Sequence, residues 1–193
     1  MDELSLELRT GLPDALRVLL AEYPRDGWAA DRNFQGLVAF WLERHMMFRK
    51  LMGLMQAETE ALLDRSADPA QFSSRISRLG GMFVNDLHGH HQIEDQHYFP
   101  ILAAKETSIA RGFEILDRDH HAIDGHLAGF IKGANAVLQC RDDRDAMQDA
   151  AGRFRTGLIR LEGFLNRHLI DEEELIVPII LRHGAESFGE PSN

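Results

Sequence analysis

The sequence predicts an all-α protein, an up-down-up-down four-helix bundle with a short extra helix at its N-terminus. Three observations support this fold class. Apolar residues recur every three or four positions over four long segments, which is the spacing of one helical face. No segment alternates apolar and polar residues at the period of a β-strand. Only six prolines occur in 193 residues, so we expect long helices with few breaks.

The first 30 residues are predicted to form a helical extension that precedes the bundle. An amphipathic stretch at 12–23 has helical spacing and ends at "YPRDG", a turn signal. The bundle is then expected to occupy residues 31–183. A polar tail, residues 184–193, should fray.

The first two long helices are predicted at 31–63 and 69–104. The sequence "RSADP" separates them, with Asp68 as the N-cap and Pro69 at the first helical position. The inward face of the first helix combines apolar, aromatic and histidine residues: Phe34, Leu37, Trp41, His45, Phe48, Met52 and Met55. The inward face of the second has the same character: Phe83, Leu87, His90, Glu94, His97 and Ile101.

The third and fourth long helices are predicted at 108–138 and 145–183, with "CRDDRD" between them. The inward face of the third consists of Leu116, His120, Ile123, Leu127 and Phe130. The inward face of the fourth consists of Leu158, Leu161, Leu165, His168, Glu172, Leu175 and Ile179. Each of the four apolar faces therefore includes a histidine.

One sequence motif is repeated in the second and fourth predicted helices. The segments "HHQIEDQHYFPIL" and "HLIDEEELIVPII" both read His-x3-Glu-x5-Pro, starting at His90 and at His168. The glutamates of the two motifs are Glu94 and Glu172. This repeat suggests that the first two helices and the last two are related halves, with His45 and His120 in loosely corresponding places.

The repeated motif predicts a metal site in the bundle interior. A histidine and a glutamate four residues apart share one helical face, so four imidazoles and two carboxylates should converge. Left empty, two buried carboxylates would repel each other and lose their hydration. Two divalent ions would offset that cost, with the carboxylates bridging and the imidazoles filling other positions. Nitrogen and oxygen donors suit iron, manganese or zinc and disfavour Cu(I).

The predicted ligands are seven residues: His45, His90, His91, Glu94, His120, His168 and Glu172. His91 lies about 100° round the helix from His90 and would reach a second metal from the edge of the apolar face. Three histidines remain open as ligands or as core residues: His97, His121 and His126. Two others should be exposed, His88 and His183. Five polar residues beside the motifs are expected to face solvent: Asp95, Gln96, Asp171, Glu173 and Glu174.

These segments, together with "DHHAIDGHL" and with His45 in "LERHMMFRKL", resemble the hemerythrin-like, or HHE cation-binding, domain over residues 31–183. The resemblance implies a non-haem di-iron centre in a four-helix bundle, with four histidine ligands and two bridging glutamates. Oxygen-carrying hemerythrins place two histidines four apart on the third helix and an aspartate five after the last histidine. Here Asp124 stands four after His120. The favoured last acid is Glu172, although Glu173 stands at the other spacing, five residues after the last histidine.

This departure fits the broader bacterial HHE group, whose members are linked to oxygen or nitric oxide sensing, iron handling and stress protection. We therefore expect a metal-binding protein whose two iron ions bind O2 or a related small molecule (NO or peroxide) in redox sensing or stress protection. Manganese or zinc are alternative metals. The alternative functions are a di-iron oxidoreductase that reduces NO or peroxide, and an iron-storage or iron-sensing protein. Binding is favoured over catalysis, because the four-carboxylate pattern of ferritin-like oxidases is missing, and no catalytic residue is assigned.

The charge balance narrows the partners. A net charge of −10 argues against nucleic acid and against an anionic membrane surface. The longest apolar run, "LIVPIIL", is too short to cross a bilayer. The N-terminus lacks the pattern of a signal peptide, so a soluble, cytoplasmic protein is expected. The expected partners are the small ligand and a redox partner that the sequence does not identify, and a homodimer is compatible with it.

Overall fold

The computed structural model describes residues 4–140 and 143–188, and every regular element in them is helical. The six α-helices are α1 (Val18–Glu22), α2 (Leu37–Leu63), α3 (Pro69–Ile93), α4 (Phe99–Lys105), α5 (Ala110–Gln139) and α6 (Arg144–His183). Short 3₁₀ turns occupy Asp14–Leu16, Arg25–Ala30, Thr107–Ile109 and Ala185–Phe188. A single π-helical turn, Glu94–Tyr98, joins α3 to α4. The all-helical class is confirmed. In this described part of the chain, no helix is both long enough and apolar enough to cross a membrane.

Local signals explain where two of the long helices begin. Asp68 caps α3 as predicted, because its side chain accepts hydrogen bonds from the backbone N–H groups of Ala70 at 3.0 Å and Gln71 at 2.9 Å. The start of α2 was predicted six residues too early. Gly36 has φ +79°, a left-handed conformation that a helix interior excludes, so α2 begins only at Leu37. The centre of the predicted break before α6, residues 141–142, and the end of the predicted tail, residues 189–193, lie outside the described residues.

The π turn corrects the prediction of one continuous helix over 69–104. The N–H of Phe99 donates to the carbonyl of Glu94 five residues earlier, which adds one residue to this turn. Beyond it, the buried positions fall one residue later than predicted: Tyr98 and Leu102 are buried. The next residue, Pro100, lacks an N–H for the regular hydrogen-bond pattern, but Pro178 at the matching place of the repeat lies inside the regular helix α6.

Backbone contacts divide the chain into two compact units. One unit contains residues 47–88 and 122–165, and its core includes four aromatic rings in sequence: Phe48, Phe83, Phe130 and Phe154. The centroids of successive rings lie 6.4, 5.8 and 5.6 Å apart. The predicted apolar faces of the long helices are buried within this unit, as at Met52 and Met55.

The other unit contains residues up to 46, 89–121 and those from 166 onwards, and it includes the N-terminal extension. Its apolar core is built from the extension, the start of α2, the segment from Tyr98 to Leu116 and the end of α6. Trp28 and Trp41 are its largest side chains. Within the same unit lie most of the buried polar groups of the described chain, and these form the candidate site.

Candidate metal centre

All seven predicted ligands lie in the unit that contains the N-terminal extension. They come from different elements: His45 from α2, His90 and His91 from the end of α3, Glu94 from the π turn, His120 from α5, and His168 and Glu172 from α6. The His90 side chain is 9% exposed, and the other six residues are buried. The apolar spacing of four separate helices therefore brings these polar side chains into one interior.

The seven residues form two donor groups. The first donor group is His45, His90, Glu94 and Glu172, and the second donor group is His91, His120 and His168. Within each group, one potential ligand atom from every residue lies within 4.8 Å of the others. Each group is thus compact enough for its members to contact one cation.

The two glutamates connect the donor groups. Oε1 of Glu94 lies 2.9 Å from Nε2 of His90, and its Oε2 lies 3.6 Å from Nε2 of His120. Glu172 does the same, with Oε1 3.5 Å from Nε2 of His45 and Oε2 3.3 Å from Nε2 of His168. Each carboxylate therefore faces one imidazole of each group, which is how a carboxylate that bridges two cations is placed.

Several donor atoms are buried without a hydrogen-bond partner in the described structure. They include both ring nitrogens of His91, Nε2 of His120 and His168, both oxygens of Glu94 and Oε2 of Glu172, since the close contacts of these atoms with neighbouring ring nitrogens and oxygens lack hydrogen-bond geometry. A buried polar atom left unpaired costs about 1–3 kcal/mol. Cations would satisfy these atoms, and the nitrogen and oxygen donors are those that borderline divalent metals prefer. The residues present therefore fit a metal centre.

The electrostatics of the two carboxylates differ. Burial and the neighbouring charge of Glu172 raise the pKa of Glu94 well above its usual value. Burial would also raise the pKa of Glu172, but the nearby imidazoles of His45 and His168 outweigh it and lower that pKa well below its usual value. For His168, burial acts to lower the pKa, yet Asp119 and Glu172 outweigh it and raise the pKa to about 9. The ionised form of Glu94 is thus disfavoured in the metal-free site, whereas the charged form of His168 is favoured.

Comparison with known families identifies the family of this chain. A family model described as the hemerythrin HHE cation-binding domain matches residues 36–180. The chain belongs to the hemerythrin HHE cation-binding family. Membership implies cation binding, and both donor groups lie inside the matched residues. No curated protein and no solved structure matched the chain.

The acid that follows each of the two glutamates contacts a histidine of the donor groups. Oδ1 of Asp95 lies 2.8 Å from Nδ1 of His120, and Oε1 of Glu173 lies 3.0 Å from Nδ1 of His45. Both contacts leave Nε2 of the ring facing the donor groups, as carboxylate partners of metal-bound histidines do. The internal repeat therefore extends to a second acid in each half. The prediction that these two acids face solvent was wrong, because Asp95 is half-buried and Glu173 is buried.

A third carboxylate, Asp119, contacts His168, the histidine of α6 in the second donor group. Its Oδ2 lies 3.4 Å from Nδ1 of His168, and Arg9 donates to both of its oxygens. Arg9 also donates from Nε to Asp171 at 2.8 Å. Asp171 was predicted to face solvent and is instead fully buried. Consecutive helical residues point about 100° apart, so the four acids from Asp171 to Glu174 do not share one face.

Trp41 is a further residue of the centre that sequence reasoning assigned only to the core. Its indole N–H donates to Oε1 of Glu172. Its ring meets His90 edge-on, with centroids 6.1 Å apart, and packs against Tyr98 at 4.9 Å. Helical spacing predicted its burial correctly, but no sequence pattern predicts its hydrogen bond to Glu172.

The remaining histidines lie outside the two donor groups. His121 is 77% exposed and faces Asp117, and His126 is half-buried and stacks on Phe164 in the unit that contains residues 122–165. His97 is half-buried and packs against Tyr98. Three further residues are exposed: His88 and His183, as predicted, and Asp124, which stands four residues after His120.

Proposed function

We propose that this hemerythrin HHE protein holds two iron ions and binds O2, or a related small ligand such as NO, at that centre. The observation that carries the proposal is the placement of Glu94 and Glu172, each of which faces one imidazole of each donor group. The unpaired buried atoms around them support it, since two cations would satisfy those atoms together. Sensing or stress protection would follow from reversible occupation of the site.

Each donor group would hold one ion. His45 and His90 would contact the first ion, and His91, His120 and His168 the second, with Glu94 and Glu172 shared. Iron is preferred over manganese or zinc because a pair of ferrous ions can supply the electrons that O2 binding requires. The protein residues orient the donors and exclude water. The buried side chains of Trp41, Tyr98 and Phe99 surround the His90 and His120 rings.

The two donor groups are unequal, and this asymmetry suggests where an external ligand binds. The first group offers two imidazoles and the second offers three, because His91 in α3 corresponds to Leu169 in the repeat of α6. An ion in the first group therefore keeps more positions open. We expect O2 or NO to bind there, beside the edge of the Trp41 ring.

The proposal includes an up-down-up-down arrangement of the four long helical segments. The order in which successive helices start and end in the two compact units supports this arrangement. α2 starts in the unit that holds the donor groups and ends in the other, and the α3–α4 segment starts in the second unit and ends in the first. α5 and α6 repeat that order.

The experiment that tests the proposal is anaerobic reduction of the iron-loaded protein followed by exposure to oxygen. We expect a visible absorption change that needs about one O2 for each pair of ions and reverses under vacuum. His88→Ala, an exposed histidine, is the control and should behave as wild type. An iron-loaded protein that shows no optical response to O2 or to NO would contradict the proposal.

A second candidate, a di-iron oxidoreductase, is favoured by one observation. A groove of about 620 Å³ is lined by Asp95 and Phe99, which both contact the His120 ring, and also by Arg111 and Arg118. Such a groove could seat an electron donor close to the centre. Sustained consumption of O2, NO or peroxide with an added electron donor would favour this enzyme, whereas uptake that stops at saturation favours a binding protein.

A further inference from the structure

The N-terminal extension is fastened to α6 by three arginines spaced eight residues apart: Arg9, Arg17 and Arg25. The nearest acid of the "DEEE" run is a different one for each arginine. Arg9 donates to Asp171 at 2.8 Å, Arg17 to Glu174 at 3.3 Å and Arg25 to Glu173 at 2.7 Å. The extension precedes residues 36–180, the part that matches the HHE family. Its contacts are therefore a property of this chain beyond the matched domain.

Arg9 reaches the second donor group through Asp119. Its guanidinium is buried and spans two carboxylates, with Nη1 2.7 Å from Oδ1 of Asp119 and Nε on Asp171. The other oxygen of Asp119 lies 3.4 Å from Nδ1 of His168. A planar guanidinium that donates to both carboxylate oxygens fixes the carboxylate plane, and hence the direction from which Asp119 meets the imidazole.

Arg25 reaches the first donor group through Glu173. Its Nη1 lies 2.7 Å from Oε2 of Glu173, and Oε1 of the same carboxylate lies 3.0 Å from Nδ1 of His45. The Arg25 side chain is 45% exposed and rests on the ring of Trp28, 4.7 Å from its centroid. The carboxylate thus links an arginine of the extension to one imidazole of the first group.

We propose that Arg9 and Arg25 are positioning residues for the metal centre, one for each ion. Arg25 fixes the His45 imidazole through Glu173, and Arg9 fixes the His168 imidazole through Asp119. The inference rests on the proposed function, because it assumes that these imidazoles bind metal. It assigns residues 4–30 a role in metal retention in addition to covering α6.

Arg17 is a matched control within the same segment. It joins the same helix by the same kind of ion pair, but its partner Glu174 is linked in the described structure only to arginines, Arg17 and Arg25. Glu174 thus contacts no ring of the donor groups itself, and only its longer pair with Arg25, at 4.0 Å, connects Arg17 to Glu173. If the extension has a purely structural role, Arg17 and Arg25 substitutions should affect metal release similarly. A positioning role predicts that only the Arg25 substitution speeds it.

The test compares metal release from full-length Arg25→Gln, Arg17→Gln and wild-type protein, each loaded with Co²⁺ and mixed with excess chelator. We expect Arg25→Gln to release one of its two ions about tenfold faster, within the range known for partners of metal-bound histidines. Its cobalt absorption spectrum should also change. Arg17→Gln should match wild type in release rate and spectrum, and Arg25→Lys should restore slow release in part.

Arg9 needs a milder change, because Arg9→Gln would leave the buried Asp119 without its arginine partner and is expected to misfold, although Asp171 keeps a contact with Arg167 at 2.6 Å. Arg9→Lys keeps the positive charge but loses the two parallel hydrogen bonds of the guanidinium to Asp119. It should therefore speed release of the ion held by the second donor group. Release and spectra identical to wild type in both Arg25→Gln and Arg9→Lys would overturn the inference alone. A wild-type protein that takes up no metal would overturn the proposed function and the inference with it.

Discussion

Oδ1 of Asp95 lies 2.8 Å from Nδ1 of His120, so an acid on the π turn fixes the orientation of an imidazole on α5. Partners of this kind typically contribute about 10- to 100-fold to metal affinity. We predict that Asp95→Ala lowers affinity by that amount for one of the two ions, as measured by competition with a chelator. Asp124→Ala removes an exposed acid of the same helix as His120 and should have no effect. Equal affinities in the two variants would contradict the role of Asp95.

Glu94 is predicted to affect stability in opposite ways with and without metal. Burial and the charge of Glu172 raise the pKa of Glu94 well above its usual value, so Glu94→Gln removes a carboxyl group whose ionised form the metal-free interior disfavours. The unfolding temperature of the Glu94→Gln variant without metal should therefore equal or exceed that of wild type. With metal, a bridging ligand is lost, and a 100-fold weaker affinity removes about 2.7 kcal/mol of metal-dependent stability.

Thermal unfolding of Glu94→Gln with and without added Fe²⁺ measures this difference. His88→Ala is the control, because the exposed His88 side chain should change neither value. A metal-dependent rise in unfolding temperature equal to that of wild type would show that Glu94 is not a ligand.

His91 is predicted to distinguish the two ions. Its ring stacks on His120 with centroids 3.9 Å apart, and both of its nitrogens are buried without a partner. His91→Leu copies Leu169 of the repeated motif, so the apolar side chain should be accommodated at this position. We expect the metal-free variant to be at least as stable as wild type but to retain only one tightly bound ion. Retention of two ions with unchanged release rates would remove His91 from the ligand set.

Metal affinity is predicted to rise with pH. The pKa of His168 is about 9, because Asp119 and Glu172 outweigh the effect of burial, so this imidazole carries a proton at pH 6–8 in the metal-free protein. A metal ion must displace that proton, and each displaced proton makes the apparent affinity increase about tenfold per pH unit. Titration with Mn²⁺ in weak buffer should therefore release at least one proton per chain. An affinity that is flat between pH 6 and 8 would contradict this coupling.

The sequence predicted the long helices and the gathering of seven donors for a physical reason. Helical periodicity determines which side of each helix faces the core, and the stripes through His45, His90, His120 and His168 point inward on that basis alone. The repeat of His-x3-Glu then identified Glu94 and Glu172 as interior carboxylates rather than surface charges. These inferences depend only on the spacing of residues within one helix, which can be read directly from the sequence.

The errors arose where spacing was not enough. The π turn adds one residue after Glu94, and periodicity cannot anticipate an inserted residue, so burial moved from His97 to Tyr98. The acids Asp171 and Glu173 were placed in solvent because the path of the N-terminal extension was unknown. Arg9 and Arg25, which contact these two acids, lie 162 and 148 residues away in the sequence, a separation that no local pattern reports.

The measurement that tests the account most directly is the metal content of the protein purified from iron-supplied cells. The two donor groups bridged by Glu94 and Glu172 predict two iron ions per chain, falling to one or none in Glu172→Ala. The exposed-site variant His88→Ala should keep both ions. A wild-type protein that holds one ion or none, or a Glu172→Ala variant that still holds two, would contradict the proposed di-iron centre.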